Sequence, residues 1–438
     1  MAEAGAKYGW YGDDFTGATD TLGALAQAGQ RAMLFLGVPS PEHLATAGPL
    51  DAIGIAGAAR SMSPEAMADE LSPVGRFFAG QGIRVLHYKC CSTFDSAPHI
   101  GSIGAAVRIL RAHFPNPIVP VVGGQPNIRR YCLFGTLYAA AGIGGEVHRI
   151  DRHPTMSVHP VTPMHEADLR RHLAAQGLEG MASIPYPAYA QSEAALDALM
   201  AGFAQEKRRS VLLDIAEEAH LAPAGRLIWN EARKMPLVAV GGSSVAQALT
   251  AHWRSGDAAV PAAAPQPLPP ADGPVFILVG SLSPVTRRQI ECADGFARLF
   301  ADARLLIGDP DYAQHLLTGV AAALTNGDHV LVSTAPAPPG SASPADAPRV
   351  AAASAAFLAG LMRAAPVRRF GIAGGDTSSL AVRALGLWGL SYLTTPAPGV
   401  AICRAHSDDP VLDGMELMLK GGQMGPDDLF TRLIGGSA

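Results

Sequence analysis

Over most of its 438 residues the chain alternates short apolar runs with helical stretches of ten to fifteen residues, and this alternation leads to parallel sheets covered by helices on both faces. A parallel strand cannot turn straight back on itself, so each needs a crossover, and the helical stretches supply the crossovers. In the first half KYGWYG, RAMLFLG, DAIGIAG, IRVLHYKC, IVPVVGG, SVLLDIA and LVAVGG read as strands, and GATDTLGALAQAG reads as a helix ended by Gly29. In the second half VFILVG, RLLIGD, HVLVSTA and RFGIAGG read as strands. Between them, residues 258–274 (AAVPAAAPQPLPPADGP) place six prolines among alanines with no apolar period, the composition of a semi-rigid spacer. The expectation is an α/β protein of two α/β domains with largely parallel sheets, residues 1–257 and 275–438, joined by the linker 258–274. Residues 335–347 read as a proline- and serine-rich loop, and residues 141–190 carry no legible pattern.

Composition narrows the partners. Hydrophobic residues are 48% and charged residues 16% of the chain, enough apolar matter for sizeable cores. The formal net charge of -5 gives no general basic field for nucleic acid or an anionic membrane, so an anionic substrate must be held by local cations. No apolar run approaches the roughly 20 residues of a membrane span. The N-terminus has an aspartate doublet where a secretory apolar region would lie, and five scattered cysteines form no C-x-x-C pair, so the expected location is a reducing cytoplasm.

In open α/β sheets ligands bind beyond the carboxyl ends of strands, so the turns after the strands are where chemistry is sought. After the first comes Gly12-Asp13-Asp14-Phe15-Thr16-Gly17. Two adjacent carboxylates repel, and each needs helix amides, a cation, a metal or a substrate hydroxyl, whereas one capping aspartate would suffice for the helix alone. After DAIGIAG comes Arg60, able to hold a carboxylate in bidentate fashion. After IRVLHY come Lys89, Cys90, Cys91, Ser92, Thr93 and Asp95, a donor and acceptor set suited to a small polyhydroxylated anion, with the cysteines expected as core fillers. Gly123-Gly124-Gln125 ends another strand and can add amides to the same cleft. His153, His159 and His165 stand six apart among prolines, which suits a rigid loop better than a metal site.

The second half has three glycine-bearing turns, at Gly280-Ser281, at Gly374-Gly375-Asp376-Thr377-Ser378 and at Lys420-Gly421-Gly422-Gln423-Met424-Gly425. Free amides and the helix dipole at such turns attract phosphate. The chain has no G-x-x-x-x-G-K-[ST], and no G-x-G-x-x-G followed by an acidic residue, so neither a P-loop nor a standard nicotinamide-dependent dehydrogenase is indicated.

In combination these blocks resemble the four-carbon acid sugar kinase family over nearly the whole chain. YGDDFTGATDTLGALAQAG, YKCCSTFDSAPHIGSIG and RIDRHPTMSVHPVTPMHEADLRRHLAAQ are similar to blocks of its first domain, and GSLSPVTRRQI, GIAGGDTSS and LKGGQMG to its G-S-x-S, G-G-[DE]-T-S and L-K-S-G-N-F-G motifs. Ser379 stands where the family usually has glycine, and Gly421-Gly422-Gln423-Met424-Gly425 replaces S-G-N-F-G. The resemblance implies an ATP-dependent kinase of a small acid such as threonate, erythronate or 3-oxo-tetronate, with the active site in the cleft between the domains. It implies Asp14 as the group that orients and deprotonates the substrate hydroxyl, supported by Asp13, with Arg60, Lys89, Ser92, Thr93 and Asp95 binding the acid. Gly280, Ser281, Gly374, Gly375, Asp376, Thr377 and Gly422 would bind ATP, and Asp376 would hold Mg2+. The expected partners are the acid and ATP, with no nucleic acid and no membrane; a homo-oligomer is left open. The alternatives are a non-catalytic sensor of the same ligands and, after it, an NAD-dependent dehydrogenase of hydroxy acids, against which the missing fingerprint counts.

Overall fold

The computed structural model describes residues 5–142, 144–159, 161–255, 267–281, 283–334 and 347–436, without the side chain of Asp376. Residues 335–346 of the expected loop at 335–347 and the linker residues 258–266 lie outside the described residues. The chain forms two compact units, Met1–Ala264 and Pro265–Ala438.

The first unit runs β1 (Tyr8–Gly12), α1 (Phe15–Gln27), β2 (Ala32–Phe35), α2 (Pro41–Ala47), β3 (Ala52–Ala56), α3 (Pro64–Gly80), β4 (Val85–Lys89), α4 (Ile103–Leu110) and β5 (Val119–Gly123). It continues with β6 (Arg130–Leu133), β7 (Thr136–Ala140), β8 (Val147–Arg149), α5 (Leu169–Ala174), β9 (Ala182–Ile184), α6 (Glu193–Gln205), β10 (Ser210–Asp214), α7 (Leu221–Lys234), β11 (Leu237–Gly241) and α8 (Ser244–Arg254). Its main sheet has the order β2-β3-β1-β4-β11-β5-β10-β9, and every pair in it is parallel. Central strands such as β1, β3 and β4 are buried along their whole length, as parallel strands sandwiched by helices must be. The chain leaves β1 toward β2 and β3 but leaves β4 on the other side, so the strand order reverses beside β1 and opens a crevice at the carboxyl edge. The illegible stretch 141–190 holds β8, short 3-10 turns, α5 and β9, with β6-β7-β8 forming a separate antiparallel sheet.

The second unit runs β12 (Val275–Val279), α9 (Pro284–Glu291), β13 (Phe296–Phe300), α10 (Ala303–Gly308), α11 (Pro310–Thr325), β14 (His329–Ser333) and α12 (Ala347–Ala364). Then come β15 (Arg369–Ala373), α13 (Gly375–Ala384), β16 (Gly389–Ala397), β17 (Val400–His406), β18 (Glu416–Lys420) and α14 (Leu429–Gly435). Strands β13-β14-β12-β15-β18 are parallel, and β17 and β16 extend them antiparallel. Here the order reverses between β12 and β15.

One strand expectation is corrected. RLLIGD is not a strand but α10, because the Asp302 side chain accepts the amides of Arg304 and Leu305 and so starts a helix. The strand in this region is β13, whose FARLF has only Phe296 buried and therefore shows no alternation. A short apolar run does not by itself distinguish the two states.

Packing in the second unit includes a buried ion pair. Arg369 and Glu416 face each other in the β15/β18 register, and the Arg369 Nε and Nη2 each lie 2.7 Å from Glu416 Oε2. The Arg369 Nη1 also donates to the carbonyls of Pro269 and Leu433, tying the start of the unit and α14 to the sheet. Glu416→Gln should therefore destabilise this unit by about 3 kcal/mol, since it leaves a buried guanidinium without its counter-charge; urea unfolding measures it, and a loss below about 1 kcal/mol would contradict the pairing argument.

Candidate active site

The register of the first sheet brings the ends of its central strands level: Gly12 pairs with both Ala56 and Lys89, and Gly241 with Lys89. Residues just past these ends therefore meet. Asp14 is the N-cap of α1: Oδ1 accepts from the Gly17 amide at 2.7 Å and Oδ2 from the Thr16 hydroxyl at 2.9 Å. Arg60, on the turn after β3, lies between the two aspartates. Its Nη1 donates to Asp14 Oδ2 at 2.7 Å, its Nη2 to Asp13 Oδ1 at 2.7 Å and its Nε to Asp13 Oδ2 at 3.3 Å. Each guanidinium nitrogen thus has a carboxylate partner, so Arg60 first of all holds the doublet.

The environments of the two acids differ. Burial raises the Asp13 pKa to about 6, with Arg60 opposing the rise and Asp14 adding to it. Asp14 also bears a burial penalty, but Arg60, Lys89, the Gly17 amide and Thr16 together bring it below the ordinary value. The Lys89 Nζ donates to the Cys90 carbonyl at 2.7 Å. It also lies beside Asp14 across Gly17, where an added Cβ would come within 2.6 Å of both Lys89 Nζ and Asp14 Oδ1, so glycine is required there by close approach. Thr93 donates to Asp95, and the Asp95 charge is near enough to stabilise the Arg60 guanidinium. Ser92 packs against Gly242. Burial pushes the Cys91 thiol up to about 11 and Cys90 well above its usual value, so both are protonated fillers. The structure thus gathers Asp13, Asp14, Arg60, Lys89, Ser92, Thr93 and Asp95 on one edge.

The same edge holds a network that sequence reasoning missed. The Gln125 Oε1 accepts the Ser243 amide at 3.1 Å, and its Nε2 donates to Asp20 at 3.1 Å. The Ser243 hydroxyl bonds to Asp20 and lies 3.0 Å from that of Thr21. The signal was Gly241-Gly242-Ser243-Ser244 directly after a strand. Two of the three histidines are structural: His153 Nδ1 accepts the amides of Thr155 and Met156, which leaves Nε2 to donate to the Ala140 carbonyl, and His159 Nδ1 accepts the Thr162 amide, while His165 is exposed. Among the described residues no group of three or more His, Cys, Asp and Glu could hold a metal ion.

In the second unit the three glycine turns converge on Ser281. Thr377 Oγ1 occupies the space a Cβ at Gly280 would fill, Ser281 Oγ does the same at Gly422, and Ser281 N lies against Gly374. Gly374 has φ +129°, a conformation that side chains resist, and as the N-cap of α13 it provides no side-chain acceptor for the first amides of that helix. Asp376 lies on this first turn; its side chain is outside the described residues.

The third turn has a template. On α9, Thr286 donates to the Gly422 carbonyl at 2.7 Å, and Gln289 donates to the carbonyls of Met424, Gly425 and Pro426 at 2.9–3.0 Å. A planar trans peptide points its N–H opposite its C=O, so the amides of Gln423 and Gly425 face away from α9. Beneath the turn the Lys420 ammonium, fully buried, donates to Thr286 Oγ1 at 2.8 Å and lies 5.8 Å from the Phe430 ring centroid. Burial lowers its pKa to about 7. Lys420 was not among the expected site residues, although scarce lysine on a buried strand was the available signal.

An acidic, hydroxyl-rich edge on one parallel sheet and a set of amides turned away from α9 on another have the make-up of a kinase of a small polar substrate. The sugar-binding N-terminal domain family matches residues 8–249, and the nucleotide-binding C-terminal domain family matches residues 276–430. A 3-oxo-isoapionate kinase of Paraburkholderia graminis is 38% identical, covering 98% of this chain and 94% of the relative. 3-Oxo-tetronate kinases of Methylobacterium radiotolerans and Cupriavidus necator are 31% and 30% identical, covering 97% of this chain and 98% and 96% of theirs. The fold is shared with the Haemophilus influenzae protein HI1011 (TM-score 0.70, 24% identity, 97% of this chain and 98% of that one). The chain belongs to the four-carbon acid sugar kinase family and is a phosphotransferase that acts on a hydroxyl of a sugar acid.

Because the folded-state pKa of Asp13 lies above its ordinary 3.8, the folded protein holds a proton that the unfolded chain has released. That contribution to stability is complete below the unfolded value and is lost as pH rises through about 6. Between about pH 3 and 7 the wild type should lose on the order of 3 kcal/mol relative to Asp13→Asn; parallel stability curves for the two would contradict the assigned environment.

Proposed function

We propose that this protein transfers the γ-phosphoryl group of ATP to a hydroxyl of a 3-oxo sugar acid, 3-oxo-tetronate or its branched relative 3-oxo-isoapionate. The observation that carries this reading is the Arg60-bridged carboxylate doublet at the strand-order reversal of a sugar-binding domain. A buried, fixed carboxylate pair has no structural need that a single capping aspartate would not meet.

Phosphoryl transfer depends on positioning and charge neutralisation more than on covalent chemistry. Asp14 is the more accessible member of the doublet and has its carboxylate fixed on three sides, so it orients the attacking hydroxyl and takes its hydrogen bond. Asp13, tied to Asp14 through Arg60, brings the proton affinity of the pair toward neutrality, and the two titrate as a unit. Lys89, Ser92, Thr93 and Asp95 position the remaining hydroxyls. The amides at the start of α13 and those of Gln423 and Gly425 receive phosphate oxygens, with Gly280, Ser281, Gly375, Thr377 and Gly422 shaping the approach. Mg2+ binds through one or two carboxylates together with phosphate oxygens, which fits a chain whose described residues form no metal cage, and Asp376 is the carboxylate we assign to it. Held there, the ion would supply charge neutralisation for the phosphates.

The decisive experiment is ADP release with 3-oxo-isoapionate, 3-oxo-tetronate, threonate and erythronate in turn. A 3-oxo acid should be turned over with the highest kcat/KM, and ATP-dependent release with none of them would overturn the reading. Asp14→Asn should lower kcat by about 1,000-fold or more while leaving ATP affinity within about twofold; turnover close to the wild type would remove Asp14 from its role.

A further inference from the structure

A sugar acid needs a cation for its carboxylate, and at the carboxyl edge of the first sheet the two obvious ones are already engaged. Arg60 gives every guanidinium nitrogen to Asp13 and Asp14, and Lys89 donates to a backbone carbonyl beside Asp14. A third cation sits on this edge with no acid. Arg130 opens β6 and is 8% exposed, and among the described residues no carboxylate pairs with it. Its Nη1 donates to the Ile128 carbonyl at 2.6 Å, while its Nε is buried with no partner at all.

Its direction follows from the strand that bears it. Arg130 and Cys132 share the buried face of β6. Cys132 Sγ donates to Asp214 at the end of β10 and packs on Gly123 at the end of β5, so that face covers the carboxyl edge of the parallel sheet. The Arg130 backbone exchanges hydrogen bonds with Gln125, whose side chain carries the Ser243–Asp20 network. The guanidinium also falls within electrostatic range of Cys91, on the β4 turn that supplies Ser92 and Thr93. Immediately before it, Arg129 takes a left-handed backbone (φ +58°), uncommon for a side-chain-bearing residue and found where a turn must aim its neighbours.

We propose that Arg130 is the specificity residue that binds the substrate carboxylate, completing with that anion the ion pair it lacks in the free protein. Leaving a guanidinium buried without a counter-charge is costly, and the cost is removed when an anionic ligand arrives. Burial, reinforced by Arg129, also lowers the Arg130 pKa, in keeping with a cation short of negative charge. The separation of roles is physical: Arg60 fixes the reacting end of the substrate through the aspartates, and Arg130 fixes the acid end.

This inference rests on the kinase reading, and its test separates the two. The wild type, Arg130→Met and Arg130→Lys are assayed with 3-oxo-tetronate and with erythrulose, the neutral ketose in which a hydroxymethyl group replaces the carboxylate. The wild type should prefer the acid by about 100-fold in kcat/KM, the worth of a charge-assisted bidentate contact. Arg130→Met should raise KM for the acid by a similar factor, keep KM for ATP within about twofold and abolish the preference, while Arg130→Lys restores part of it. Thermal unfolding of Arg130→Met should occur no lower than for the wild type, because methionine replaces an unpaired buried charge. If the wild type turns over no sugar acid, the kinase reading fails. If it does so and Arg130→Met keeps the preference for the acid, or loses acid and neutral substrate equally, the assignment of Arg130 is overturned.

Discussion

The guanidinium of Arg60 is what allows two adjacent aspartates to be buried at the end of β1. Without it, desolvation and mutual repulsion would protonate one of them or push the turn outward. With it, the doublet becomes a rigid unit whose two members have distinct environments, one pulled below the ordinary carboxylate range by a helix start and two cations, the other held up by burial. The backbone reinforces the arrangement, since the Arg60 amide also donates to the Asp13 carbonyl. The chain spends an arginine, a helix N-terminus and a glycine on keeping one carboxylate pair in place.

Both units use the same device. In each, the strand order reverses at the centre of a parallel sheet, and the turns on either side of the reversal carry the polar groups. What differs is the sign of the field. The first edge is built around carboxylates, which suit hydroxyl donors; the second is built from amides with a buried lysine beneath them, a field of the opposite sign that suits anionic oxygens.

Much of this is legible in the sequence because strand ends are marked by composition. Gly12-Asp13-Asp14, Gly280-Ser281 and Gly374-Gly375 each follow an unbroken apolar run, and the structure places all three just beyond a strand. The turns after β3 and β4 are legible for the same reason. What resists reading depends on tertiary pairing. RLLIGD is apolar enough for a strand, and only the hydrogen bonds of Asp302 make it a helix. That Arg60 bridges Asp13 and Asp14 is not legible, because a sequence does not tell which carboxylate an arginine will find. Arg130 is invisible for the converse reason: among the described residues it has no acidic partner, and a missing partner leaves no trace in composition. The flap that carries Arg130 lies next to a region with no periodicity, where short strands and 3-10 turns are held by hydrogen bonds such as those of His153.

The way α9 holds the 421–425 turn has a consequence for how such chains diverge. Thr286 and Gln289 grip only main-chain oxygens, so the bend keeps its shape whatever side chains it bears, provided those residues leave the backbone path open. Gly421, Gln423 and Met424, where the family pattern has serine, asparagine and phenylalanine, are therefore carried on a bend whose backbone is anchored from two positions one helical turn apart on α9.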